Sequence, residues 1–230
     1  MNTALPEDPA ASAIRVSELF HSLQGEGPSA GSPAHFLRLQ GCDVGCRWCD
    51  TRYTWDAGGG RDSTIEAAFA ELSALGTADL LVVTGGEPLV HPGIAGLLAA
   101  ALERWPRVEV ETSGIAPPPV SHLRLHYNHS PKLPSVTTRW AETWAHARAF
   151  AADPNTTFKL VIGDEPDEAD ALRLLAEHQL PRNRTSLMPE GLTDAALRAR
   201  AITLAETCRR ENLRLSPRLH VWLWGAKRGV

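Results

Sequence analysis

The chain has 230 residues, 43% of them hydrophobic and 22% charged, and a formal net charge of −4. That length suits one large core, and the ordinary composition excludes a collagen-like, disordered or disulfide-dense chain. The acidic balance provides no overall basic field for nucleic acid or an anionic membrane surface.

The opening "MNTALPEDPAAS" lacks the basic start and long apolar stretch of a secretory signal. Residues 1–13 are expected to be a disordered tail, and residues 14–230 a single domain in the cytoplasm. The longest apolar run, 94–102, is about half a membrane span, so no membrane anchor is expected. In a reducing compartment, four cysteines point to metal or catalysis rather than disulfides.

"HFLRLQ" (35–40) predicts a strand, with Arg38 alternating away from Leu37 and Leu39. "STIEAAFAELSALG" predicts a helix opened by a Ser63/Glu66 capping box, with Ile65, Phe69 and Leu72 on one face. Strands are expected at 80–84, 108–112, 123–128, 158–162 and 185–189, and helices at 94–105, 138–151, 167–178 and 193–212. "RLHVWLW" reads as a last extended segment, and "TWDAGGGRD" (54–62) as a mobile lid or linker.

This alternation predicts βαβ units and a mainly parallel sheet. About six strands fall short of a full eight-stranded barrel, which takes about 250 residues. The fold class expected is α/β, an incomplete, shortened TIM-like barrel, with a doubly wound open sheet as the competing reading. The unusual residues cluster at strand ends: "GCDVGC", "TGGEP", "ETSG", "HSPK" and "MPEG" each follow a predicted strand. In parallel α/β folds ligands bind at that end, so the five segments predict one rim-built site.

Cys42, Cys46 and Cys49 fall within ten residues. A zinc site would need a fourth ligand, which one of nine histidines could supply, and "CRWC" alone could be a redox pair. The third reading is a [4Fe–4S] cluster with one iron left free of protein ligands. Such an iron can take the amino and carboxylate groups of S-adenosylmethionine, whose reductive cleavage gives an adenosyl radical. The CxxxCxxC spacing resembles the signature of the radical S-adenosylmethionine superfamily. Gly85 and Gly86 fit this reading, because a Gly-Gly pair lets backbone approach a ligand closely.

From Val16 onward, "SELFHSLQGEG", "GCDVGCRWCDT", "TGGEPL", "ETSG", "SPKLP", "FKLVI", "LMPEG" and "RLHVWLWG" together resemble the 7-carboxy-7-deazaguanine synthase family. The resemblance implies a carbon–nitrogen lyase that contracts 6-carboxy-5,6,7,8-tetrahydropterin to 7-carboxy-7-deazaguanine with loss of ammonia, on the route to queuosine. It also implies Mg²⁺, a homodimer and a low-potential electron donor such as flavodoxin. Carried over by motif, Cys42, Cys46 and Cys49 hold the cluster and Thr51 holds Mg²⁺. Trp48, Cys49, Asp50, Gly86, Ser130, Pro131, Lys132, Met188, Pro189, Glu190 and Gly191 bind S-adenosylmethionine. Leu23, Gln24, Gly25, Glu26, Arg38, Thr84 and His220 bind substrate, with Glu111 facing the same cavity. His126, His129, Cys208 and Val230 are assigned no role. Alternatives are a glycyl-radical-enzyme activase, which shares the cysteine spacing, and a zinc-stapled binding module.

Overall fold

A computed structural model describes residues 13–225 and 227–230. The strands are β1 (Ala13–Leu23), β2 (Pro33–Leu39), β3 (Arg61–Thr64), β4 (Leu80–Gly85), β5 (Arg107–Thr112), β6 (Leu125–His129), β7 (Thr157–Ile162), β8 (Thr185–Pro189) and β9 (Arg214–Leu215). They form one sheet in the order β3-β1-β2-β4-β5-β6-β7-β8-β9, whose two ends do not pair with each other among the described residues. From β2 to β9 every pairing is parallel, while β1 runs antiparallel to both β2 and β3. The architecture is therefore a partial α/β barrel. Its centre is the six parallel strands expected from sequence, and β1, β3 and β9 extend it.

The crossovers carry α1 (Ile65–Ala74), α2 (Ile94–Arg104), α3 (Trp140–Trp144), α4 (Ala147–Ala152), α5 (Glu165–Glu177) and α6 (Asp194–Glu211), with α7 (Leu219–Trp224) near the C-terminus. Leu37, Leu39, Leu81 and Val83 pack with helix residues such as Phe69, Leu72, Leu97 and Leu98 in the main core. Each such buried side chain contributes about 1.5–3 kcal/mol. The opposite faces of β2 and β4 turn inward, where Ala34, Phe36, Leu80 and Val82 form a second cluster with Phe20 against it. Both faces of the central strands are thus covered, as parallel strands require.

The structure corrects several local expectations. Thr64, not Ser63, caps α1: its side chain accepts from the Ala67 N–H. The 138–151 helix is broken into α3 and α4 by a turn at Ala145 and His146, where the Ala145 N–H donates to the Glu142 carbonyl; Trp144 and Phe150 are buried on either side of it. "RLHVWLW" is not extended, because residues 219–224 are helical and the Leu219 N–H donates to the Gly25 carbonyl at 2.8 Å. The 54–62 segment is no free lid. Arg15 donates to Gly59 O at 2.6 Å and Gly58 O at 2.5 Å, Gln40 donates to Tyr53 O and Asp56 O, and residues 61–64 are strand β3. Ala13 already belongs to β1, and the rest of the expected tail lies outside the described residues. No helix among the described residues is long and apolar enough to cross a membrane.

Candidate active site

A cavity of about 410 Å³ lies at the carboxyl ends of the parallel strands. The expected residues converge on it from distant parts of the chain. Leu23, Gln24, Gly25 and Glu26 come from the end of β1 and its loop, and Arg38 from β2. The loop after β2 brings Cys42, Cys46, Trp48, Cys49, Asp50 and Thr51, and β4 brings Thr84 and Gly86. Ser130, Pro131 and Lys132 follow β6, Met188 and Glu190 close β8, and His220 sits on α7. Glu111 also reaches the wall. Pro189 and Gly191 do not line it. Pro189 borders an apolar groove against α6, and the Gly191 carbonyl accepts from Arg218 Nη1 at 2.8 Å.

The cysteine loop is held from two sides. Glu87 N–H donates to Gly41 O at 2.9 Å, and Arg47 N–H donates to Val136 O at 2.8 Å. The Thr137 hydroxyl bonds the Val44 carbonyl, and Arg139 donates to Asp43 O at 3.0 Å. A Cβ at Gly86 would overlap the Gly41 carbonyl and crowd the Cys42 Cβ, so the Gly-Gly pair is also needed to seat the thiol loop. Glu87 is buried and saturated. It accepts from Leu89 N at 3.1 Å, Thr112 Oγ1 at 2.6 Å, Ser113 N at 2.7 Å and Ser113 Oγ at 2.5 Å, which ties the β4 rim to the β5 rim.

The three loop thiols are free and half-buried. Burial pushes Cys42 up to about 11 and also raises Cys46. Among the described residues no three His, Cys, Asp or Glu side chains are grouped as around a single metal ion. All three thiols line the same cavity, where three thiolates and an open side would suit a cluster with one iron free of protein ligands. Thr51 Oγ1 lies 3.5 Å from Cys49 Sγ.

Deeper in the cavity is a charged network that sequence reading only partly anticipated. Lys159 Nζ donates to Glu26 at 2.5 Å and to Glu111 at 2.8 Å. Arg218 bonds Glu26 at 3.2 Å and Asp50 at 2.5 Å. Gln24 Nε2 donates to Glu111 at 3.2 Å, and Asn128 Nδ2 donates to the same oxygen at 2.9 Å. Burial opposes ionisation of Glu26, but Lys159 and Arg218 outweigh it and hold the carboxyl far below the usual range. Burial dominates at Glu111 and raises it despite Lys159. Burial also lowers His220, against the pull of Glu26, and favours the neutral ring. Gly25 cradles that ring, since a Cβ there would overlap His220 Nδ1.

Glu18, Tyr53, Glu87, Lys159, Arg218 and Arg228 also line the cavity and were not singled out from sequence, and Val230, assigned no role, lines it too with Lys227 and Gly229. Alternation put Arg38 away from the core, and the resemblance gave it a substrate role. It stands beside Thr84 in the β2–β4 register, on the inner face.

The Radical SAM superfamily pattern matches residues 37–126, which span the thiol loop and the Gly-Gly rim. With the partial barrel and the three-thiol loop at its rim, this defines a radical S-adenosylmethionine enzyme, a class that carries a [4Fe–4S] cluster and S-adenosylmethionine. The chain is 37% identical over 224 residues to the 7-carboxy-7-deazaguanine synthase of Pyrobaculum aerophilum, covering 96% of this chain and 99% of that protein. It is 36% identical over 241 residues to the synthase of Halobacterium salinarum, with 92% and 91% covered. The crystal structure of QueE from Escherichia coli superposes with a TM-score of 0.71 at 29% identity, covering 89% of this chain and 93% of that one. The chain belongs to the 7-carboxy-7-deazaguanine synthase family.

Proposed function

We propose that this chain contracts 6-carboxytetrahydropterin to 7-carboxy-7-deazaguanine with loss of ammonia, as one radical S-adenosylmethionine domain. The observation that carries the reading is the convergence of the cysteine loop, the Gly-Gly rim, the "LQGEG" loop and His220 on one cavity, in a chain matching such synthases along nearly its full length.

Cys42, Cys46 and Cys49 hold the cluster, and the carbonyls and amides of the Gly86 and Ser130–Lys132 segments bind S-adenosylmethionine beside it. When bound, the cluster and S-adenosylmethionine supply the reductive cleavage and hydrogen-atom abstraction that start the rearrangement. Glu26 and Glu111 accept from the N–H edge of the pterin, while Lys159 keeps the two carboxylates from repelling each other. His220 presents a neutral ring to the same edge. Arg38 takes the substrate carboxylate through its planar fork. Thr51 would supply a hydroxyl ligand to Mg²⁺, a hard cation that also takes oxygens from substrate and water. Thr84 and Leu23 shape the wall around the ring.

A low-potential donor such as flavodoxin, a homodimeric state and a cytoplasmic location complete the proposal. The test is anaerobic protein with reductant, S-adenosylmethionine, Mg²⁺ and carboxytetrahydropterin. The deazaguanine should form with S-adenosylmethionine recovered intact. A colourless zinc protein, or one molecule of S-adenosylmethionine consumed per event, would defeat the reading. Mg²⁺ omission and sedimentation velocity test the metal and the dimer separately.

A further inference from the structure

β1 carries one extra residue at its centre. Val16 pairs with Leu39 and Glu18 pairs with Arg38, so Ser17 is bulged out of register. In an unbulged ladder Ser17 would stand opposite Arg38, and the bulge turns Glu18 to that position instead. Glu18 Oε2 accepts from Arg38 Nε at 2.9 Å and from the Tyr53 hydroxyl at 2.7 Å. Its Oε1 accepts from Arg228 Nε at 2.9 Å and Nη2 at 2.7 Å. The Arg228 guanidinium lies 3.6 Å from the Tyr53 ring centroid. One carboxylate thus joins a central strand, the loop after the thiols and the C-terminal segment.

Four donors occupy the acceptor positions of Glu18, but the two arginines are not used up. Among the described residues, Arg38 Nη1 and Nη2 and Arg228 Nη1 have no hydrogen-bond partner, and both residues line the cavity. Two guanidiniums against one carboxylate leave one positive charge. Arg38 and Glu18 are mostly shielded from solvent, with side chains 16% exposed, whereas Arg228 reaches them from the open side of the cavity. A carboxylate entering from the cavity would balance it and find a pair of planar forks, one on each side.

We propose that Arg228 is a second anchor for the substrate carboxylate beside Arg38, and that Glu18 is the positioning residue for both guanidiniums. This rests on the pterin reading above, which supplies the carboxylate. The Tyr53 ring is the platform on which the Arg228 guanidinium rests. The C-terminal segment thereby becomes part of the specificity apparatus rather than a loose end.

The test compares carboxytetrahydropterin with tetrahydropterin, which lacks the carboxylate. Wild-type turnover is measured first, then KM for the former and the inhibition constant of the latter. Arg228→Ala should raise KM about tenfold and leave tetrahydropterin inhibition unchanged. Arg228→Lys should recover part of the loss, and Glu18→Gln should erode the same preference. A tether with no ligand role would weaken both pterins alike, and that result overturns the proposal, as does an unchanged KM. If Glu18→Gln melts early, the Arg228 variants decide the matter, since that side chain is 58% exposed. A wild type that binds neither pterin defeats the functional reading and this inference together. A wild type that turns over, with Arg228→Ala keeping full carboxylate preference, defeats this inference alone.

Discussion

Gly86 lies so close to Gly41 that a side chain on the first would overlap the carbonyl oxygen of the second. The Gly-Gly pair at the end of β4 is therefore the seat on which the thiol loop rests, as well as a place where backbone can meet a ligand. Gly86→Ala is expected to displace that loop, cost about 1–3 kcal/mol in stability, and lower turnover by about 100-fold. Iron and sulfide content after anaerobic reconstitution should fall with it. Wild-type iron with an unchanged melting temperature would show that the loop accommodates the methyl group.

The four cysteines should separate cleanly. Replacing Cys42, Cys46 or Cys49 by Ala is expected to abolish turnover and the brown chromophore. Cys208 is buried in α6, with its thiol 3.3 Å from the Arg214 carbonyl. Cys208→Ala should keep full iron and lose roughly 1 kcal/mol of stability at most. Loss of iron in that variant would mean that a fourth thiol reaches the cluster.

Lys159 holds two buried carboxylates. Lys159→Met removes the ammonium while keeping most of the volume, and leaves Glu26 and Glu111 facing each other. The expected cost is about 3–5 kcal/mol, the penalty for an unpaired buried charge, read by urea unfolding. Arg218 keeps one partner for Glu26, so Lys159→Met with Glu111→Gln should recover part of that loss. No recovery in the double variant would show that the two carboxylates do not compete for the one ammonium.

His129 gives a pH signature outside the cavity. Its Nε2 lies between the carbonyls of Ser113 and Thr143, at 3.1 and 3.0 Å, and Nδ1 has no partner. Burial pushes the ring down to about 3, from an ordinary value near 6.5. Below that ordinary value the unfolded chain takes up a proton that the folded chain refuses. The contribution to stability is therefore present in full above pH ~6.5 and is lost as pH falls towards ~3, by about 1.4 kcal/mol per unit. Urea unfolding at pH 7, 6 and 5 should show this slope, and His129→Gln should flatten it. Equal slopes in both proteins would assign the acid sensitivity to carboxylates instead.

Much of the fold was readable because its central strands and helices obey short-range patterns. The "LLVVT" run and the capped, apolar-striped helices specify their own local structure with little help from elsewhere. β1 was missed because its burial alternates irregularly around the bulge, which breaks the period that marks a strand. "RLHVWLW" was misread because seven apolar-rich residues suit strand or helix equally. Its helix starts where the Gly25 carbonyl accepts the Leu219 amide, a contact across the whole chain. Arg38 shows a related ambiguity. Alternation separates two faces of a strand, but nothing in β2 alone says that the second face lines a barrel interior rather than the solvent.

The thiols proposed to hold the cluster were legible as residue types at fixed intervals, since Cys42, Cys46 and Cys49 share one loop and local chain geometry suffices to bring them together. The charges that line the cavity follow a different rule. Lys159 and Glu26 are 133 residues apart, and Arg218 and Asp50 are 168 apart. Their meeting depends on the curvature of the sheet and on the seating of α7 against Gly25. An ion pair draws its strength from separation in space and from the low dielectric that folding creates, and neither quantity exists along an unfolded chain.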